Sequence, residues 1–255
     1  FANRADARAF IGSGDLSIRR IVAGTPQPIR GPFAAQKVEL KPVIERKEMT
    51  SRGRYDYGDT LESANLIRPA EFTLELSQVD RETLLMAFMG EEVATSQAAS
   101  TITDVVVDVA VGEWAEIGSK YLSNVVVTNG AAVSPVTYVA GVDYVLNTTF
   151  GWIKALAGGA LAAGETVEVS ATVRAASGTA IRGSRQKEIR VELFLDGANQ
   201  VDGSPVEVQV WEAILAPDSA FDFLAEDFAV ITLTGTLKTP ANRTEPYVVR
   251  QVKIV

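Results

Sequence analysis

Asp218, Asp222, Glu226 and Asp227 crowd one short stretch and could serve as the paired carboxylates of a glycosidase. A helix is predicted over residues 219–226, and a solvated helix face accounts for the same acids with no chemistry. The run Asp196-Gly197-Ala198-Asn199-Gln200-Val201-Asp202-Gly203 has the oxygen-rich look of a calcium loop. Its third position, where an EF-hand needs an acid or amide, is Ala198, so a hairpin connection fits better. Gly12-Ser13-Gly14 lacks the third glycine and the preceding strand of a phosphate-binding loop and reads as a turn. Trp114, Trp152 and Trp211 are either sugar-stacking platforms or core.

Residues 46–68 (RKEMTSRGRYDYGDTLESANLIR) are less bland. They link two strands through a loop far longer than an ordinary hairpin turn, and loops of that length in compact domains carry function or are disordered. Arg46, Lys47, Arg52, Arg54 and Arg68 accompany Tyr55 and Tyr57, a composition typical of interface anchors. On an acidic protein such a loop suits docking to an acidic patch of an identical neighbour. A mobile, solvated hairpin is the alternative.

Composition narrows the chemistry. Histidine and cysteine are both absent from the 255 residues, which removes disulfides, thiolate nucleophiles, Cys/His zinc sites and imidazole-based triads. With 24 basic and 32 acidic side chains the net charge is −8, the wrong sign for gripping nucleic-acid phosphates. The long uncharged stretch 121–142 is rich in Ser, Asn, Thr, Gly and Pro and does not read as a membrane span, so a soluble chain is expected. Phe1, Arg4 and Arg8, followed by the short triplet Ala9, Phe10, Ile11, do not make a signal peptide.

The elements that must position these residues are strands. Alternation marks 15–22, 36–44 (Val38 and Leu40 against Lys37, Glu39 and Lys41), 72–77, 189–195 and 206–210, with further strands at 228–238 and 247–255. One amphipathic helix is predicted over 80–89, with Asp80 as N-cap, Leu84, Leu85, Phe88 and Met89 as its stripe, and Gly90 as its stop. Residues 101–180 hold only seven acids and three bases, about half the charge density of the rest. They read as a β-rich module inserted into a host domain, with strands at 102–111, 124–128, 137–139, 144–147, 152–156 and 166–173 and small polar linkers at 92–100 and 175–184. The expected fold is mainly β. A discontinuous sandwich or barrel (1–100 and 181–255) with one flanking helix carries a small immunoglobulin-like β-sandwich (101–180).

The order strand, long charged hairpin loop, strand, short helix, in KVELKPVIERKEMTSRGRYDYGDTLESANLIRPAEFTLELSQVDRETLLMAFMG, resembles the major tail tube proteins of long-tailed bacteriophages. The insert, with VAGVDYVLNTTFGWIKALAGGALAAGETVEVSATV, is similar to β-rich modules inside several such proteins. The resemblance implies a non-enzymatic virion protein, assembled in the host cytoplasm, that forms rings of six stacking into a tube for genome ejection. It implies no catalytic residue, metal or cofactor and no membrane. The implied partners are copies of itself, a tape measure protein, a tail terminator and baseplate or distal tail proteins, with double-stranded DNA passing through without specific binding. Residues 47–66 would be the inter-ring loop, carrying Lys47, Arg52, Arg54, Tyr55, Asp56 and Tyr57. Strands 36–44 and 72–79 would face the lumen through Lys37, Glu39, Lys41, Thr73, Glu75 and Ser77. Two other readings stay open: a carbohydrate-binding two-domain protein using Trp114 or Trp152, and a hydrolase using Asp218, Asp222 or Asp227.

Overall fold

The computed structural model describes residues 9–161 and 165–251; Phe1, Arg4, Arg8 and the last residues of the expected strand 247–255 lie outside them. The protein is mainly β. The chain divides into two compact units, residues 1–92 with 181–255, and residues 93–180. In chain order the first unit contributes β1 (Gly12–Val22), β2 (Thr25–Pro26), β3 (Arg30–Phe33), β4 (Ala35–Thr50), β5 (Thr60–Leu76) and α1 (Arg81–Ala87). After β6 (Glu91–Gln97) come β7 (Ser100–Val109), β8 (Ala115–Glu116), β9 (Leu122–Thr128), β10 (Tyr144–Asn147), β11 (Trp152–Ala155) and β12 (Glu165–Val173). β13 (Ala176–Arg182) then leads to β14 (Ile189–Asn199), β15 (Pro205–Pro217), β16 (Ile231–Leu237) and β17 (Tyr247–Arg250).

The first unit is a nine-stranded sheet ordered β2-β1-β14-β15-β16-β5-β4, with β3 also on β1 and β17 also on β15. Alternation drives it. Leu16 and Ile18, Ile189, Val191 and Leu193, Leu215, Ile231 and Leu233, and Phe72, Leu74 and Leu76 all turn to one core, while their polar neighbours face out. The strands approach most closely where side chains are missing. Gly14 lies opposite Gly197, and a Cβ on Gly14 would stand 2.6 Å from the Asp196 carbonyl oxygen. The expected turn at Gly12-Ser13-Gly14 is therefore the start of a strand, because Gly14 is there for close backbone approach and not for flexibility.

Asp80 caps α1 by accepting from the Thr83 N–H at 2.8 Å, and the Thr83 hydroxyl accepts from the Asp80 N–H in return. The buried face is Thr83, Leu85 and Met86, rotated from the expected stripe, and the left-handed residue after the helix is Met89 (φ 47°), not Gly90. Glu82 in the first turn meets Arg20 at 3.6 Å and Arg30 at 3.9 Å.

The second unit has two three-stranded sheets, β7-β12-β9 and β10-β11-β8, which share a core of Val107, Val109, Val127, Tyr144, Ile153, Val167 and Val169. The expected strand 137–139 is reduced to a single bridge between Thr128 and Thr137. The two expected linkers are not linkers. Residues 91–97 and 176–182 are β6 and β13, which pair with each other, and residues 93–100 belong to the second unit. Small polar residues satisfy a backbone ladder as well as apolar ones do, so their composition concealed the pairing.

Candidate functional site

β4 and β5 outrun the sheet. β16 pairs with β5 only as far as Thr236 opposite Glu71, yet β4 and β5 continue from Val43 opposite Arg68 to Thr50 opposite Thr60. The expected 23-residue loop is thus a two-stranded arm with a nine-residue tip, residues 51–59. Along the arm both faces meet solvent. Ile44 and Ile67 stand opposite one another on one face, Ile67 at 89 % exposure, and Met49 and Leu66 are exposed on the other. Arg46 pairs with Glu48 at 2.6 Å, Lys47 reaches Glu45 at 3.9 Å, and Arg68 also pairs with Glu45. A two-stranded ribbon with no buried face gains little from its own contacts.

Ser51 organises the tip. Its N–H donates to the Asp59 carbonyl at 2.8 Å, its carbonyl accepts from the Gly58 N–H at 2.9 Å, and its hydroxyl donates to Asp56 at 2.7 Å. Asp56, grouped by sequence with the contact residues, is instead consumed in holding the turn. Tyr55 and Tyr57 project, 93 % and 79 % exposed, and the Arg54 guanidinium lies 5.6 Å from the Tyr55 ring centroid. Among the described residues, neither Arg52 nor Arg54 has a carboxylate partner. At the base of the arm an apolar groove of about 940 Å³ is lined by Val43, Ile44, Ile67, Pro69, Ile214 and Tyr247.

The strand residues expected to face a lumen share one polar surface. Lys37 lies opposite Glu75, Glu39 opposite Thr73 and Lys41 opposite Glu71, with Thr232, Thr234 and Thr236 of β16 beside them. Ser77 falls past the end of β5 and donates through its N–H and its hydroxyl to the Ala34 carbonyl, closing the sheet end instead of continuing the row. Lys37 contacts Glu39 at 2.9 Å and Glu75 at 3.8 Å, and Lys41 contacts Glu71 at 2.8 Å. The Glu39 carboxylate raises the Lys37 pKa and is itself lowered by it, and Glu71 raises Lys41. These are exposed, salt-screened pairs that set a nearly balanced surface and add little stability. Among the described residues β4 pairs with β5 alone, so its outer edge is open, interrupted by Pro42 at a register shift.

The remaining candidates fall elsewhere. Residues 219–226 form no helix: an open loop runs from Asp218 to Val230. Phe221 and Phe223 pack on Phe88 at 5.8 and 5.6 Å between ring centroids, while Leu224 and Phe228 stand free at 90 % and 98 % exposure. Phe221, Phe223, Leu224 and Phe228 were missed. Phe221, Leu224 and Phe228 recur at i, i+3 and i+7, the spacing of one helix face, so the pattern pointed to a helix and concealed an exposed apolar loop. The Asp196–Gly203 stretch is the β14–β15 hairpin, where the Asn199 side chain bonds Ile11, Ala9 and Val201. Among the described residues no acidic cluster could hold a metal ion, and no helix is long and apolar enough to cross a membrane.

None of the three tryptophans is core. On the outer face of β11, Trp152 lies 4.8 Å from Phe150 and 6.3 Å from Trp114, with Lys120 over Phe150 and Lys154 over Trp114. These rings spend their faces on one another and on two ammonium groups. Trp211 is covered by the Arg243 guanidinium, 3.6 Å from its centroid. No curated protein matches the chain. A family model does match, over residues 9–248, and the chain therefore belongs to the family described as Protein of unknown function UCP028589.

Proposed function

We propose that this protein is a structural subunit of a long-tailed bacteriophage tail that associates with copies of itself into rings of six, the rings stacking into a tube through which the genome leaves. The observation that carries the reading is the arm of β4 and β5, which leaves its own sheet with apolar residues on both faces and an Arg/Tyr tip. A protein gains nothing by ordering such a ribbon in isolation, because an arm of this kind acquires its buried surface from a neighbour. The open margin of β4 supports the same reading, since head-to-tail contacts in a ring complete exposed strand edges.

In this reading the arm is the contact between rings, and the polar surface carrying Lys37, Glu39, Lys41, Thr73 and Glu75 lines the channel. Its self-paired charges offer a duplex no patch of unpaired cations to hold. The subunit catalyses nothing, and its further partners are the tape measure, terminator and distal tail proteins.

The test is direct. Concentrated full-length protein should form rings or tubes in negative-stain images and sediment as oligomers. The combined change Arg52→Ala, Arg54→Ala, Tyr55→Ala and Tyr57→Ala should leave the circular dichroism spectrum intact while abolishing stacking. A wild-type chain that stays monomeric at high concentration rejects the proposal.

A further inference from the structure

We infer that the arm tip of one copy seats on the loop 218–230 of a second copy. The inference rests on the self-assembly reading and supplies what that reading lacks, the acceptor. Tip and loop occupy opposite ends of the first unit. The tip adjoins Thr60, the first residue of β5, and the loop leads into Ile231, which pairs with Leu76, the last residue of β5. Seventeen residues separate those ends along one strand, about 55 Å at some 3.3 Å per residue. A chain therefore cannot bring its own tip onto its own loop. A second copy can.

The two surfaces are complementary in charge and in shape of exposure. Loop 218–230 carries Asp218, Asp222, Glu226 and Asp227 and no base. Among the described residues none of these four acids pairs with a cation; the one side-chain bond they make is from the Leu224 N–H to Asp222 at 2.8 Å. The tip offers Arg52 and Arg54, equally without a carboxylate partner, while its own acids are Asp56, which accepts from the Ser51 hydroxyl within the turn, and Asp59. Each surface also holds exposed apolar groups: Leu224 and Phe228 on the loop whose Phe221 and Phe223 pack on Phe88, and Tyr55 and Tyr57 on the tip. Tyrosine and arginine against phenylalanine ringed by acids is the composition of an interface centre with a charged rim. Because donor and acceptor are different surfaces at opposite ends, the contact is heterologous and repeats without closing, which is the geometry of stacked layers.

Charge reversal tests this in the full chain. Arg52→Glu with Arg54→Glu, or Asp222→Lys with Glu226→Lys and Asp227→Lys, should each lower the assembled fraction by about tenfold or more in sedimentation velocity. Mixing the two reversed chains should restore tip-to-loop pairs, and circular dichroism should show both folded. The chain contains no cysteine, so a second readout has no background. Under oxidation, Tyr57→Cys with Phe228→Cys in one chain should give a ladder of covalent multimers, whereas either change alone should stop at dimers. The inference falls if the wild type assembles but single reversals assemble equally well, if mixing fails to restore pairing, or if Tyr57→Cys cross-links to Tyr247→Cys in the basal groove instead. A wild type that never assembles overturns the self-assembly reading itself.

Discussion

Asp143 shows how a single side chain governs local order. Its carboxylate accepts from the Val139 and Ala160 N–H groups, each at 2.7 Å, tying the turn after residue 139 to the segment after β11. The Ala160 bond, then the Val139 bond, holds its pKa below the ordinary carboxylate value against the opposing effect of burial. A depressed folded-state pKa stabilises the fold above the unfolded-state pKa, and that contribution is lost as pH falls through the folded value. Asp143→Asn should therefore lower thermal stability at pH 7 and flatten its loss as pH falls below the ordinary carboxylate range, as melting curves taken through that fall will report. Trp211 makes a different point: its buried indole N–H has no hydrogen-bond partner, while the Arg243 guanidinium lies over the ring.

At the scale of elements, α1 depends on its cap because it has only seven residues. Asp80→Ala removes the carboxylate that accepts from the Thr83 N–H, leaving only the bond from the residue-80 N–H to the Thr83 hydroxyl, and should cost about 1 kcal/mol, read as a lower denaturant midpoint with an unchanged slope. This helix was legible because a cap residue, an acidic first turn and an apolar run each carry a local signal. The strands Val38–Leu40 and Phe72–Leu76 were legible for the same reason, since one buried face forces alternation. The arm was not. With neither face buried, RKEMTS and LESANLIR have no reason to alternate, and the ladder joining them leaves no trace in side-chain type. Loop 218–230 failed in the opposite sense, since its closely spaced Phe and acidic residues imitated a helix whose apolar residues in fact cover Phe88 or remain exposed.

The whole molecule is two cores on one chain. Leu16, Phe72, Met86 and Leu233 belong to one, Val127, Ile153 and Val167 to the other. Replacing residues 93–180 by a short Gly/Ser bridge should leave the first unit with a single cooperative melt, and an isolated 93–180 fragment should fold alone, both measurable by circular dichroism. Loss of cooperative melting in the first case would mean that the host core depends on its insert. The acidic total of −8 also keeps free chains mutually repulsive, a long-range repulsion that added salt screens. Finally, β6 and β13 are hydrogen-bonded neighbours, so the two crossings out of the host run side by side, about 4.8 Å apart. That makes the junction a ready grafting point: a fluorescent reporter or binding domain whose own termini lie close together could replace the natural passenger and be displayed in many copies along any polymer the host unit builds.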